Sequence, residues 1–291
     1  MLTTAQEQFP EAVKQQIFNE LLKTPAGRVK MAMSMIMPLR TRRDYASVAR
    51  KAFLVEQLPD GALPLYDRDP EVVAYMIGEE GASIISQSKP KRVIFPLFEI
   101  AANPQMSLTE VKNTRYDLIQ RNIDLGKSEV QAQEDTKAFA VMDAAAADPR
   151  NANPDITVTA PITVDVLADA FGEVEFHDLV VQNVFMNARD FTDIRKFGRD
   201  TLDIESQAAL LKTGLQATLW GARIIVSRIV PVGQAYICAE KGFFGRIPVR
   251  TEMTVISADN PQERMIGFSI FENIGIGSHN PAGLTRLIIN R

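Results

Sequence analysis

Between Ser107 and Pro149 the sequence carries one long amphipathic pattern, and any fold of this chain has to accommodate it. Leu108, Val111, Leu118, Ile119, Ile123, Val130, Phe139 and Met142 fall mostly three, four or seven residues apart, with Lys, Arg, Glu, Asp and Gln between them. That spacing lines the apolar side chains along one stripe of a helix. Ser107-Leu108-Thr109-Glu110 is a capping box, in which the serine hydroxyl and the glutamate each satisfy a free backbone N–H. At the other end Ala144 to Ala147 gives way to Asp148-Pro149, and proline cannot continue a helix. The pattern predicts a helix from Leu108 to Ala147, about 60 Å long. A rod of that length exceeds what a compact domain of this size hides, unless Gly126 bends it. It suits a spine.

The flanking sequence is of a different kind. Pro10-Glu11 opens a short helix carrying Val13, Ile17, Phe18, Leu21 and Leu22, which stops at Thr24-Pro25-Ala26-Gly27. Met31, Met33, Met35 and Met37 then alternate, a two-residue period that fits an extended strand. That strand is either core or an arm laid across another subunit. Arg28, Lys30, Arg40, Arg42, Arg43, Arg50 and Lys51 surround it, opposed only by Asp44. Such an excess meets acidic neighbours or phosphate, or it is simply a solvated face. Ala52 to Leu58 reads as a strand, Pro59-Asp60-Gly61 as a turn, and Arg92 to Phe98 as a second strand. Between them Tyr66-Asp67-Arg68-Asp69-Pro70 and Ser86-Gln87-Ser88-Lys89-Pro90-Lys91 read as exposed turns on a protruding loop.

After the long helix the elements are short. Thr163 to Phe171 reads as helix and Leu179 to Met186 as a buried strand, while Asn187 to Asp190 caps a helix through Lys196. Strands are expected at Gly221 to Val226, Gln234 to Ala239, Val249 to Ile256, Met265 to Ile276 and Leu284 to Ile289. Turns separate them at Asp259-Asn260-Pro261 and His279-Asn280-Pro281. Helices and strands come in blocks without βαβ alternation, so the class is α+β.

Composition narrows the function. A chain of 291 residues, 46% apolar, holds one large core or two modest ones. The net charge of −4 is small and mixed in sign, which argues against a global nucleic-acid clamp or a polybasic membrane surface. No apolar run approaches the roughly 20 residues of a membrane span, and the first residues lack a signal-peptide pattern, so the chain is expected to be made in the cytosol with no membrane partner. Cys238 is the single cysteine, and His177 and His279 are the only histidines; no metal-ligand spacing links them. Gly275-Ile276-Gly277-Ser278-His279-Asn280 begins like a dinucleotide fingerprint but has Asn280 where the third glycine belongs. Glu134-Asp135 and Asp67 with Asp69 read as solvated carboxylates. No catalytic, cofactor-binding or metal-ligating residue is assigned, and no cofactor is expected.

The order of elements carries a resemblance. Arg92-Val93-Ile94-Phe95-Pro96-Leu97-Phe98-Glu99-Ile100-Ala101 leads into the helix bearing Arg115-Tyr116-Asp117-Leu118 and Glu134-Asp135. Phe185-Met186-Asn187-Ala188-Arg189-Asp190-Phe191 is followed by Leu219-Trp220-Gly221-Ala222-Arg223-Ile224-Ile225-Val226. Together they resemble the Hong Kong ninety-seven-type major capsid proteins of tailed phages, whose fold encapsulins also use. The resemblance runs over nearly the whole chain after residue 28, in element order and not in one diagnostic motif.

It implies an N-terminal arm at 1–51, an extended β-loop at 52–98, a peripheral domain with the spine helix at 99–148 and 245–291, and an axial domain at 149–244. It further implies a non-enzymatic subunit that self-assembles into hexamers and pentamers of an icosahedral head around double-stranded DNA. Portal, scaffolding or decoration proteins would be its other partners, with weak non-specific DNA contacts on the inner face. Its place would be the virion capsid, assembled in the host cytoplasm. Arg40, Arg42, Arg43, Arg68, Lys89 and Lys91 are the candidate inter-subunit contacts. Some relatives join subunits by lysine–asparagine isopeptide bonds, roles the resemblance would give to Lys89 or Lys91 with Asn273 only where a desolvated glutamate is brought together with them. The alternatives are an encapsulin-like shell around a cargo enzyme and a small-oligomer metabolic enzyme, the latter poorly served by two histidines.

Overall fold

The computed structural model describes residues 45–59, 61–68, 91–113, 118–151, 153–159, 161–197 and 218–290. The predicted amino-terminal helix and the methionine run lie outside them. Two compact units divide the chain. The larger holds residues 45–102, 127–256 and 269–291, and the described part of the smaller falls within 103–126 and 257–268.

In chain order the first strands are β1 (Leu54–Gln57), β2 (Leu65–Arg68), β3 (Lys91–Ile94), β4 (Leu97–Ala102) and β5 (Gln105–Ser107). Helices α1 (Leu108–Asn113) and α2 (Leu118–Ala146) follow, then β6 (Ile156–Val158), α3 (Val164–Glu175), β7 (Val181–Met186) and α4 (Phe191–Ile194). The remainder is β8 (Thr218–Leu219), β9 (Ala222–Val226), β10 (Gln234–Ala239), α5 (Lys241–Phe244), β11 (Gly245–Ser257), β12 (Met265–Gly275), β13 (Gly277–Ser278) and β14 (Leu284–Ile289). The predicted long helix corresponds to α1 and α2, with 114–117 outside the described residues. The 29 residues of α2 make it about 43 Å long.

In the larger unit a six-stranded mixed sheet runs β6-β14-β10-β7-β9-β8. Its two central strands are covered on both sides, because side chains alternate along a strand. Ala235, Ile237 and Ala239 of β10, with Val184 and Met186 of β7, join Leu167, Ala170, Phe171 and Val174 of α3 in one core. On the opposite face Phe185 and Tyr236 meet Phe139 of α2, ring centroids 5.9 and 5.8 Å apart. Each such buried side chain contributes about 1.5–3 kcal/mol. Thr163, the first residue of the predicted helix, is its cap and accepts from Val166 N at 3.5 Å. The helix runs on past the predicted Phe171 to Glu175 because Val174 extends its buried stripe. Trp220 (φ 48) and Gly221 (φ 85) form the two-residue turn of the β8–β9 hairpin, and both sit in the left-handed region that such a turn demands.

The second sheet runs β1-β11-β12-β4, with β13 on β11 and β5 on β12. Two expectations change here. Ahead of the strand predicted at Ala52 to Leu58, Ala49–Lys51 form a 3-10 turn, and only Leu54–Gln57 pair, parallel to β11. The strand predicted at Arg92 to Phe98 is two strands: β3 pairs with β2, while β4 pairs with β12 from Leu97↔Gly275 to Ala102↔Ile270. The switch falls at Phe95-Pro96, where proline has no N–H to give a ladder. The Phe95 side chain is buried and the chain comes so close to Gly277 that a Cβ there would lie 2.1 Å from its ring. That contact, and a similar one between Gly245 and Phe53, is why no side chain fits at either glycine. Strand β14, predicted with the peripheral portion, pairs between β10 and β6 in the other sheet.

In the smaller unit β5 pairs with Met265–Gly267 of β12. Ser107 Oγ accepts from Thr109 N at 3.2 Å, and Leu108 N donates to Arg264 O at 3.0 Å, so the start of α1 is satisfied from both sides.

Candidate assembly site and its buried anchor

The candidate contact residues fall into two groups. Arg40, Arg42, Arg43 and Lys89 lie outside the described residues. Arg68 and Lys91 are brought together as the last register pair of β2 and β3. One step along, Asp67 and Arg92 face each other across the strands, and Arg92 Nε donates to Asp67 Oδ1 at 2.9 Å. The hydrogen bond and charge of Arg92 hold the exposed Asp67 carboxyl below its ordinary range. Asn273, the other half of the suggested isopeptide pair, is half-buried on β12 opposite Glu99.

The hairpin carries exposed apolar side chains, Leu63 at 68%, Ile94 at 63%, and Leu65, and Leu54 and Val55 on β1 are exposed as well. The base of the hairpin is nonetheless fixed. Arg250 Nη2 donates to Ala62 O at 2.7 Å, Arg246 lies 5.2 Å over the Tyr66 ring and reaches Glu56 at 3.1 Å, and Tyr66 packs on Phe95. Burial, and then the charge of Glu56, push the Tyr66 hydroxyl up to about 12. A fixed base thus carries a hairpin with exposed apolar side chains.

Residues 45–51 enter the larger unit through a polar anchor that sequence reasoning missed. Asp135 of α2 is wholly buried, contrary to the solvated role expected of it. Its carboxylate accepts from Ser47 Oγ at 2.7 Å, Val48 N at 2.9 Å, Ala49 N at 3.0 Å and the Tyr45 hydroxyl. Tyr45 N donates to Ser128 Oγ at 2.7 Å, the Tyr45 hydroxyl also meets Ser227 Oγ at 3.0 Å, and Arg228 lies 5.3 Å over its ring. Burial and the bond to Asp135 push the Tyr45 hydroxyl well above its ordinary value. Asn183 Nδ2 of β7 closes the set on Lys51 O at 2.9 Å.

The neighbouring Glu134 is buried too, and Arg50 Nε and Nη2 reach it at 2.8 and 3.3 Å. The same Nη2 reaches Glu272 Oε2 of β12 at 3.3 Å. Burial raises both carboxyls against the pull of Arg50, that of Glu272 to about 7. The signal for Glu134 and Asp135 was available in part. Asp135 stands four residues before Phe139 and seven before Met142, and Glu134 four before Ala138, so both lie on the buried stripe of α2. A carboxylate on such a stripe requires buried donors, and the polar run Tyr45 to Arg50 supplies them.

This arrangement holds chain in place and offers little for catalysis. Asp135 and Glu134 are occupied by donors, and Glu272 accepts from Arg50 at Oε2 alone. Cys238 is buried, which pushes its thiol far above the reactive range. His177 Nε2 meets Asn153 Oδ1 at 2.9 Å, and Asn153 Nδ2 donates to Ala282 O and Leu284 O. Among the described residues no group of three or more His, Cys, Asp or Glu is placed to hold a metal ion, and no helix is long and apolar enough to cross a membrane.

A spine helix packed on a two-sided mixed sheet, a second sheet of long strands, and an apolar hairpin outside both define the class: the chain has the Hong Kong ninety-seven-type capsid fold. The mature capsid of bacteriophage PhiM1 shares it with a TM-score of 0.66 at 11% identity, over 88% of this chain and 91% of that one. The capsid of the cyanophage P-SCSP1u matches with a TM-score of 0.69 at 10% identity, over 87% and 90%. A virus-like particle from Pyrococcus furiosus matches with 0.50 at 14%, over 81% and 90%. No family model matches the sequence, and no curated protein is similar to it.

Proposed function

We propose that this chain is a structural shell subunit, a major capsid protein that assembles into the hexamers and pentamers of an icosahedral head enclosing double-stranded DNA. The observation that carries this reading is the extent of the fold likeness: 87% or more of this chain matches about 90% of subunits that come from phage capsids, leaving little of either chain to a different task. The exposed apolar side chains of the hairpin, Leu63, Leu65 and Ile94, support it, since a repeated neighbour would bury them in every subunit. The subunit acts without chemistry of its own. Residues 1–51 serve as arm, 52–98 as the extended loop, 99–148 with 245–291 as the peripheral domain, and 149–244 as the axial domain, with β14 returning into the axial sheet.

The principal partner is the chain itself. Portal, scaffolding or decoration proteins and packaged DNA follow from a virion location, with assembly in the host cytoplasm. Arg40, Arg42, Arg43, Arg68, Lys89 and Lys91 are proposed inter-subunit contacts. The virus-like particle neighbour keeps one second reading in play, a nanocompartment around a cargo enzyme. Electron microscopy and mass photometry of the purified chain test the proposal. Closed shells or six- and five-membered rings are expected, and a monomer or dimer under every assembly condition would sink it. Nuclease-protected DNA inside shells recovered from the source separates a head from a nanocompartment with co-purifying enzyme.

A further inference from the structure

Arg50, Glu134 and Glu272 come from the 3-10 turn, α2 and β12, all within the larger unit. Both carboxylate side chains are wholly buried, whereas Arg50 keeps 34% of its side-chain surface exposed. The guanidinium therefore stands between the acids and water. It gives two bonds to Glu134 and one to Glu272 Oε2, and Glu272 Oε1 has no hydrogen-bond partner among the described residues.

One cation thus faces two acids. The other charges in reach add to the excess: Asp135 acts on Glu134 from the next position of α2, and Glu252 acts on Arg50 from β11. On β4 the residue opposite Glu272 is the apolar Ile100. A buried carboxylate that is half-paired and crowded by like charge is the group that takes up a proton.

We infer that Glu272 and Arg50 form a proton-operated latch that sets how firmly residues 45–51 are held against α2. With Glu272 protonated, Arg50 and Glu134 are a balanced pair. With Glu272 ionised, the closed latch carries an uncompensated buried charge. Lifting residues 49–51 removes the guanidinium cover and hydrates both acids, so the open form releases the proton more readily. Burial first, and the Glu134 charge second, raise Glu272 in the closed form from 4.5 to about 7. Proton binding therefore favours closure: its contribution is fully present below pH 4.5 and is lost as the pH rises through about 7. The latch thus makes the seating of residues 45–51 against α2 responsive to pH near neutrality.

Hydrogen exchange of the full chain tests this, with protection over residues 45–52 followed from pH 5.5 to 8.5 after correction for intrinsic exchange and referenced to α3. Protection is expected to fall by about tenfold or more across that range in the wild-type chain. Glu272→Gln should remain at the low-pH level throughout, and Glu134→Gln should move the midpoint to lower pH by removing a like charge. Wild-type protection that is flat or rises with pH overturns the latch, and needs no variant. A Glu272→Gln profile that titrates like the wild type, or a Glu134→Gln midpoint that stays put, also overturns it.

Discussion

Replacing Asp135 by Asn tests the anchor with almost no change of shape. The wild-type carboxylate accepts from Ser47 Oγ and Ala49 N at Oδ1, and from Val48 N and the Tyr45 hydroxyl at Oδ2. An amide keeps the Oδ1 side but turns an NH2 group towards the two Oδ2 donors. The Tyr45 hydroxyl has another partner, Ser227 Oγ at 3.0 Å, and can turn to it. The Val48 N–H is fixed in the backbone and is left facing another donor. One stranded buried N–H, together with the loss of charge from the two bonds that survive, should cost about 3–5 kcal/mol. For a domain of this size that is a fall in Tm of about 10 °C. Differential scanning calorimetry of unassembled subunits measures it, with Asp169→Asn on the exposed side of α3 as a control expected within about 0.5 kcal/mol of wild type. Tyr45→Phe should fall between them, near 1 kcal/mol. A loss below about 1 kcal/mol for Asp135→Asn would refute the reasoning, because it would mean that these buried donors find water or other acceptors.

Three further outcomes follow from the same geometry. Gly277→Ala places a Cβ 2.1 Å from the Phe95 ring and should destabilise by about 1–3 kcal/mol in urea unfolding, with Phe95→Leu recovering part of the loss in a double-mutant cycle. Leu63→Ser with Ile94→Ser removes exposed apolar surface only, so subunit stability should stay within about 0.5 kcal/mol while sedimentation shows shell assembly reduced or lost. Native Cys238 should resist a thiol reagent for as long as the chain stays folded and react at once in guanidinium, since burial both hides the thiol and keeps it protonated.

The parts of this fold that the sequence displays are those written in apolar periodicity. β7, β9, β10, β11, β12 and β14 were legible from short apolar runs between turn residues, and α3 was legible from the residue that caps it, Thr163, onward. Pairing between distant strands was not, since nothing local tells Leu284–Ile289 to lie between β10 and β6. Phe95-Pro96 shows a milder failure: an apolar run that reads as one strand is divided between two sheets by a proline that cannot serve in a ladder.

The anchor was only partly legible, for a different reason. The default assignment sends a carboxylate to solvent, and for Asp67, with its exposed Arg92 partner, that assignment holds. For Glu134 and Asp135 it fails because their partners lie far away in the chain and include backbone N–H groups of Val48 and Ala49, which no residue type announces. A buried carboxylate with such partners adds little net stability over an apolar residue of the same size, yet it is costly to satisfy in any other way. It therefore fixes which segment lies against α2 more than how tightly. Apolar Ala138, Phe139 and Met142 would accept many neighbours; Asp135 accepts one stretch with a hydroxyl and consecutive free amides in the right order. For residues 45–51, whose backbone amides and hydroxyls fit this one carboxylate, such specificity matters more than the energy of the bonds.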